Sequence, residues 1–175
     1  MNQKEATALL RKYVKNEEQF RKVLAHSKAV QKAALKIAKK IKKADIGFIK
    51  IASLLHDIGR FYHKPGTKES IKHGIKGAEI LRKEGLDRFA RVAERHIGVG
   101  ITKSDIIRQK LDLPLKNYIP KTIEEKIIAH ADNLIFGDKE KKLDDVIKRF
   151  RKELGEEYVK RILKLDKELK AMMVK

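Results

Sequence analysis

The 175 residues are 42% apolar and 38% charged, long enough for one domain with a sizeable core, too apolar for disorder and too charged for a bilayer span of ~20 apolar residues. No cysteine is present, which excludes disulfides, zinc ribbons and thiol nucleophiles and leaves His, Asp and Glu to hold any metal. With 43 Lys and Arg against 24 Asp and Glu the net charge is +19, which favours partners such as RNA, DNA or a phosphorylated small molecule and also fits an ion-pair-rich thermophile surface.

Met1 to Leu10 carries Lys4 and Glu5 and lacks the apolar core of a secretory signal, so a cytoplasmic address with no membrane partner is expected. Asn2 to Val14 reads as a short helix, and Glu17 to about Lys42 as a long one with Phe20, Val23, Val30, Ile37 and Ile41 on its apolar stripe. Asp45 can cap the next helix, which runs to about Asp57 and is apolar on nearly every side, as a core helix is. Gly59 ends it, and His63 to Thr67 is a loop. Ser70 can cap a helix from Ile71 to Glu84, followed by Asp87 to His96, the glycines at 98 and 100, and a short helix Thr102 to Gln109. An extended segment between Leu113 and Pro120 leads to a capping box at Thr122 to Glu125, opening a helix that stops at Gly137. Two amphipathic helices, about Lys139 to Leu154 and Glu156 to Met172, complete an all-α domain of about eight helices.

Five side chains sit where this pattern places apolar ones. His26 lies four residues before Val30 on the stripe of the long helix, and His56 and Asp57 close the most hydrophobic helix. His73 shares a face with Gly77 and Ile80, and Asp132 shares one with Ile128 and Ile135. Taken singly, each has an ordinary reading: a hydrogen-bonded core histidine, a helix terminus, an aspartate paired with lysine. Buried carboxylates cost several kcal/mol each without a cation, and with three histidines converging on them a divalent metal is the economical partner.

Leu54-Leu55-His56-Asp57-Ile58-Gly59 resembles the signature of the HD superfamily of metal-dependent phosphohydrolases, in its HDIG variant. The superfamily order of an upstream His, the His-Asp doublet and a later Asp is matched by His26, His56-Asp57 and Asp132. A second layer, His73-Gly74-Ile75-Lys76-Gly77-Ala78-Glu79-Ile80-Leu81 with His96, resembles members holding two metals, and Gly74, Gly77 and Ala78 suit a close approach of the His73 helix. The resemblance covers about 20–136 and implies a helical bundle; it leaves the helical hairpin at 139–172 unmatched, and the chain is read as a single HD domain over 1–175. It also implies that His26, His56, Asp57, His73, His96 and Asp132 hold two divalent ions bridged by Asp57.

The chain lacks the second His, the Glu and the Gly-Tyr-Pro element of HD-GYP cyclic-dinucleotide phosphodiesterases, reading His96-Ile97-Gly98-Val99-Gly100-Ile101, and carries Arg60 where those have Lys. It is more similar to bacterial HD-type diadenosine tetraphosphate hydrolases and to small archaeal HDIG proteins. The expected function is metal-dependent hydrolysis of a nucleotide or another phosphate ester, with His56, Asp57 and Arg60 at the chemistry. Arg60, Lys64 and Lys76, in a loop-proximal cluster with Lys68 and Lys72, are candidates to meet substrate phosphates. Two ions, two carboxylates and a bridging hydroxide leave a site of about +1, which attracts an anion. Nitrogen-rich ligation favours Fe, Mn, Zn, Ni or Co over Mg alone. His63 reads as a loop residue and His130 as pointing away from Asp132's metal. Two rivals stay open: a di-iron oxygenase on the same scaffold, and an RNA-binding module with a structural metal. The second is favoured by a stripe of Lys28, Lys32, Lys36, Lys39, Lys40 and Lys43 without an acidic partner on its face.

Overall fold

The computed structural model describes residues 1–174 and leaves out the Lys68 side chain, so the sequence reading at Lys68 lies outside the described residues. Nine α-helices are described: α1 (Gln3–Tyr13), α2 (Glu17–Ala38), α3 (Ile46–Leu55), α4 (His73–Lys83), α5 (Asp87–Arg95), α6 (Lys103–Gln109), α7 (Ile123–Asn133), α8 (Leu143–Glu153) and α9 (Glu156–Met172). The all-α expectation holds. A two-stranded hairpin, β1 (Ile135–Phe136) and β2 (Lys139–Glu140), pairs antiparallel between α7 and α8.

α3 occupies the centre because it has apolar side chains to give in every direction. Ile49 and Ala52 join a core shared with Val30 of α2, Ile127 and Ile128 of α7, Val146 and Phe150 of α8, and Ile162 and Leu169 of α9. Ile51, Leu54 and Leu55 join a second core with Leu10, Phe20, Ile58, Leu81 and Ala93. The last two helices are thus built into the main core rather than appended to it. No helix among the described residues is long and apolar enough to cross a membrane.

Four boundaries differ from the sequence reading. α2 ends at Ala38 instead of near Lys42, because the chain turns there and folds Ile41 back into the core. α3 ends at Leu55, and the backbone tightens through Asp57 (φ −103°, ψ 16°) into a 3-10 turn over Ile58–Phe61. The stretch Lys68–Lys72 is also a 3-10 turn, so α4 begins at His73, and Ser70 makes no side-chain cap. α7 ends at Asn133 rather than Gly137, which instead takes the left-handed conformation (φ +67°) that the hairpin needs.

The small residues of α4 bring it against two neighbours. A Cβ on Gly59 would lie 1.9 Å from the His73 carbonyl oxygen, and one on Gly74 would lie 2.8 Å from that of Ala93. The HDIG turn, α4 and α5 therefore approach to backbone contact, and this carries His73 and His96 toward Asp57.

Candidate metal centre

Three histidines are oriented by one local device. His56, His73 and His96 each follow the last residues of a turn or helix, and each Nδ1–H donates to the carbonyl three residues back: Ser53 (2.7 Å), Ser70 (2.6 Å) and Ala93 (2.8 Å). The fourth, His26, donates Nδ1–H to the Gly137 carbonyl of the hairpin at 2.6 Å. A carbonyl only accepts, so the proton is assigned to Nδ1 in all four rings and each Nε2 is turned inward.

The Nε2 atoms meet two carboxylates. Asp57 Oδ2 lies 3.6 Å from His26 Nε2 and 3.9 Å from His56 Nε2, whereas its Oδ1 lies 3.2 Å from His73 Nε2 and 3.4 Å from His96 Nε2. Asp132 Oδ1 is 2.9 Å from His26 Nε2 and 3.6 Å from His56 Nε2. His56, His73, His96 and Asp57 are all buried. His26 and Asp132 reach the surface with side chains 19% and 18% exposed, so the mouth opens on their side.

The electrostatics are those of a centre prepared for a cation. Burial opposes ionisation of Asp132, but the hydrogen bond with His26 and the proximity of the His56 imidazole outweigh it and hold the carboxyl well below its usual range. Asp57 is likewise held low against its burial by the surrounding imidazoles. His73 is pushed down to about 4 by burial, which outweighs its contact with Asp57, so it is neutral at physiological pH. For His26, burial is overcome by Asp132, which pushes it up to about 9.

Two observations test the fit of these residues to a metal. His56 Nε2 and Asp57 Oδ1 are buried without a hydrogen-bond partner, at a cost that a coordinated ion removes. His73 Nε2 and His96 Nε2 face each other at 3.0 Å with both Nδ1 atoms already committed as donors. Facing lone pairs repel unless a cation lies between them. The residues fit: His26, His56 and Asp57; His56, His96 and Asp132; and Asp57, His73 and His96 each bring ligand atoms within 4.8 Å of one another.

Arg60 stands at the same centre. Its Nε is 3.4 Å from Asp57 Oδ1, and its Nη1 donates to Ser70 Oγ at 2.7 Å. Lys76 Nζ donates to both Glu79 carboxylate oxygens at 3.0 Å, and Lys64 is exposed in the loop near Glu18. His63 lines an open cleft with Lys72 and Lys76, and His130 pairs with Asp166 of α9 at 3.3 Å, away from the cluster. The Gly137 carbonyl and Arg149 of α8, whose guanidinium lies 4.1 Å from the centre of the Phe136 ring, were not legible beforehand. Both depend on a two-residue hairpin too short to leave a periodic signal.

The HD domain family matches residues 23–137, a span that contains all six clustered side chains. The chain belongs to the HD domain family. Metal-dependent phosphohydrolysis in general goes with that membership, and the buried His/Asp cluster has ligands for divalent ions. Among relatives of this HD protein, the uncharacterized protein MJ0778 of Methanocaldococcus jannaschii is 47% identical over 86% of the chain and 89% of its own length. Proteins named tRNA (cytidine(56)-2'-O)-methyltransferase from Thermoplasma volcanium and Picrophilus torridus are 45% and 41% identical over 86% of the chain. The match takes in 43% and 42% of their lengths, so the HD chain spans less than half of each. The HD domain of the L. monocytogenes phosphodiesterase PgpH shares the fold, with a TM-score of 0.56 at 19% identity over 94% of this chain and 96% of that one. Its complex with cyclic-di-AMP aligns with a TM-score of 0.54 at 18% identity over 96% and 95%.

Proposed function

We propose that this HD domain hydrolyses a phosphate ester or anhydride of a nucleotide, with two divalent ions held by His26, His56, Asp57, His73, His96 and Asp132. The observation that carries the reading is the division of Asp57. One carboxylate oxygen faces His26 and His56 and the other faces His73 and His96, as a bridging ligand between two ions requires. When bound, such ions supply Lewis acidity and a water with its pKa lowered toward neutrality.

The chain's own residues do the rest. The four backbone carbonyls fix the imidazoles, so little reorganisation is needed on ligation. Arg60, anchored by Ser70, holds a positive charge beside Asp57, where phosphoryl oxygens would gather. The buried walls keep bulk water from all but the His26 and Asp132 side. The cyclic-di-AMP bound to a protein of the same fold supports a nucleotide as substrate. A second reading, in which the phosphate is carried by RNA, is favoured by the methyltransferase names of two relatives and by the charge of +19.

The test is phosphate release by metal-reconstituted protein from mononucleotides, dinucleoside polyphosphates, cyclic dinucleotides and RNA with terminal phosphates. Chelator-sensitive release from at least one of these is expected, with Asp57→Ala inactive and metal-free. An Asp57→Ala protein that keeps both its metal and its activity contradicts the assignment.

A further inference from the structure

Eight of the chain's eleven arginines have a carboxylate within 4.0 Å. Arg21 and Arg91 are unpaired but exposed. Arg149 is the exception, since it is half-buried and among the described residues no carboxylate lies within that distance. Taking a guanidinium part-way out of water costs free energy that a nearby anion ordinarily offsets. Here burial lowers the guanidinium's pKa, although it stays charged, and Glu153 and Asp132 oppose that only from a distance.

Its place is set by stacking. The guanidinium lies 4.1 Å from the centroid of Phe136 and 5.5 Å from that of Phe150. A stacked guanidinium has its face occupied and its N–H edge free, which leaves a fork of donors matched to phosphate oxygens. Phe136 immediately precedes Gly137, whose carbonyl holds His26, so the hairpin that carries the stacking ring also carries a ligand's anchor. Asp132 does not absorb the charge, because its Oδ1 is turned to His26 and His56.

We infer that Arg149, seated on Phe136, forms an anion subsite at the Asp132 side of the metal centre and takes a second, unreacting phosphate of a substrate that carries at least two. The inference rests on the phosphohydrolase reading of the cluster and deepens it. Arg60 is committed to Asp57 and Ser70, whereas Arg149, over the ring of the hairpin that anchors His26, has no carboxylate partner within 4.0 Å among the described residues. A nucleotide with one phosphate at the cluster and another at Arg149 uses both. Arg149 lies on α8, outside residues 23–137, so the subsite is supplied by the carboxyl-terminal hairpin.

The test compares α,β-methylene-ADP with AMP as ligands of the metal-loaded protein by titration calorimetry, with Arg149→Met, which keeps an apolar stem over Phe136, and Arg149→Lys. Losing a charge-assisted hydrogen bond lowers affinity by roughly ten- to a hundredfold. That loss is expected in Arg149→Met for α,β-methylene-ADP, with AMP changed less than threefold, metal content unchanged and Arg149→Lys intermediate. Hydrolysis of p-nitrophenyl phosphate, which has one phosphate, should keep its kcat and KM. An equal loss for both nucleotides, no loss for either, or a native protein that binds α,β-methylene-ADP no better than AMP overturns the subsite. If the selective loss is seen but native protein hydrolyses nothing, the subsite stands and the phosphohydrolase reading falls.

Discussion

Asp57 offers its two oxygens to different pairs of imidazoles, and the same division makes the second pair separable from the first. Replacing His73 and His96 together by Ala should leave one ion per chain by elemental analysis where the native protein holds two. A native protein that saturates at one ion removes the bridging role from Asp57. Five of these residues were legible because a polar side chain on an apolar stripe stands out by its cost and the five agreed with one another, whereas His96 was legible only through the family resemblance. The partner of Lys76 was not legible in the same way: a lysine stem reaches many places, and Glu79, three residues on along the helix, takes it at 3.0 Å. The carbonyls that orient the imidazoles leave no trace in sequence at all, since every residue has one.

At the scale of elements, the centre depends on the contact between the HDIG turn and α4. Gly59→Ala places a Cβ against the His73 carbonyl, so the turn and α4 must separate, with an expected cost of ~1–3 kcal/mol and loss of the ion held by His73 and His96. Gly47→Ala is the matched control, because its Cβ meets only ordinary contacts on an exposed helical face and should stabilise by about 0.5–1 kcal/mol. Thermal unfolding with metal analysis separates the two, and an unaffected Gly59→Ala protein would show that the turn can yield. The tie between α6 and α9 is electrostatic. Buried Asp105 accepts from Arg161 at 2.6 and 3.2 Å, from Arg108 at 2.7 Å and from the Thr102 backbone N–H at 2.9 Å; the bonds with Arg161 and Thr102 outweigh its burial and hold its carboxyl well below the usual range. A lowered native pKa gives stability that is complete above the unfolded value of ~4 and is lost as pH falls through the native one. Asp105→Asn should therefore be less stable at pH 7, by about 3 kcal/mol, and lose less on going from pH 4 to pH 2 than the native chain, as read from urea midpoints. Helix periodicity placed α6 and α9 but was silent on this pairing, and it carried α7 through Ile135 and Phe136 because both are apolar on the Ile128 face.

For the whole molecule, the charge of +19 includes a lysine stripe less continuous than the sequence suggests. Lys36 pairs with Glu140 of the hairpin at 2.6 Å, and α2 ends before Lys39, so the lysine stripe is interrupted. Reversing Lys28, Lys32, Lys39 and Lys43 to Glu should flatten the slope of log RNA affinity against log salt by no more than roughly three units, with binding of the native chain gone by ~0.5 M salt. A complex that survives that salt would restore the RNA-binding alternative. The central claim is that the clustered imidazoles and carboxylates serve hydrolysis, and the oxygen atom that enters the product tests it most directly. The metal-loaded protein is given its best substrate in water enriched in oxygen-18 under air, with phosphate analysed by mass spectrometry and dissolved oxygen followed by electrode. One labelled oxygen per phosphate released, with no oxygen consumed, is the predicted result; consumption of oxygen in step with turnover, and product unlabelled by the solvent, would contradict it and point to the di-iron oxygenase.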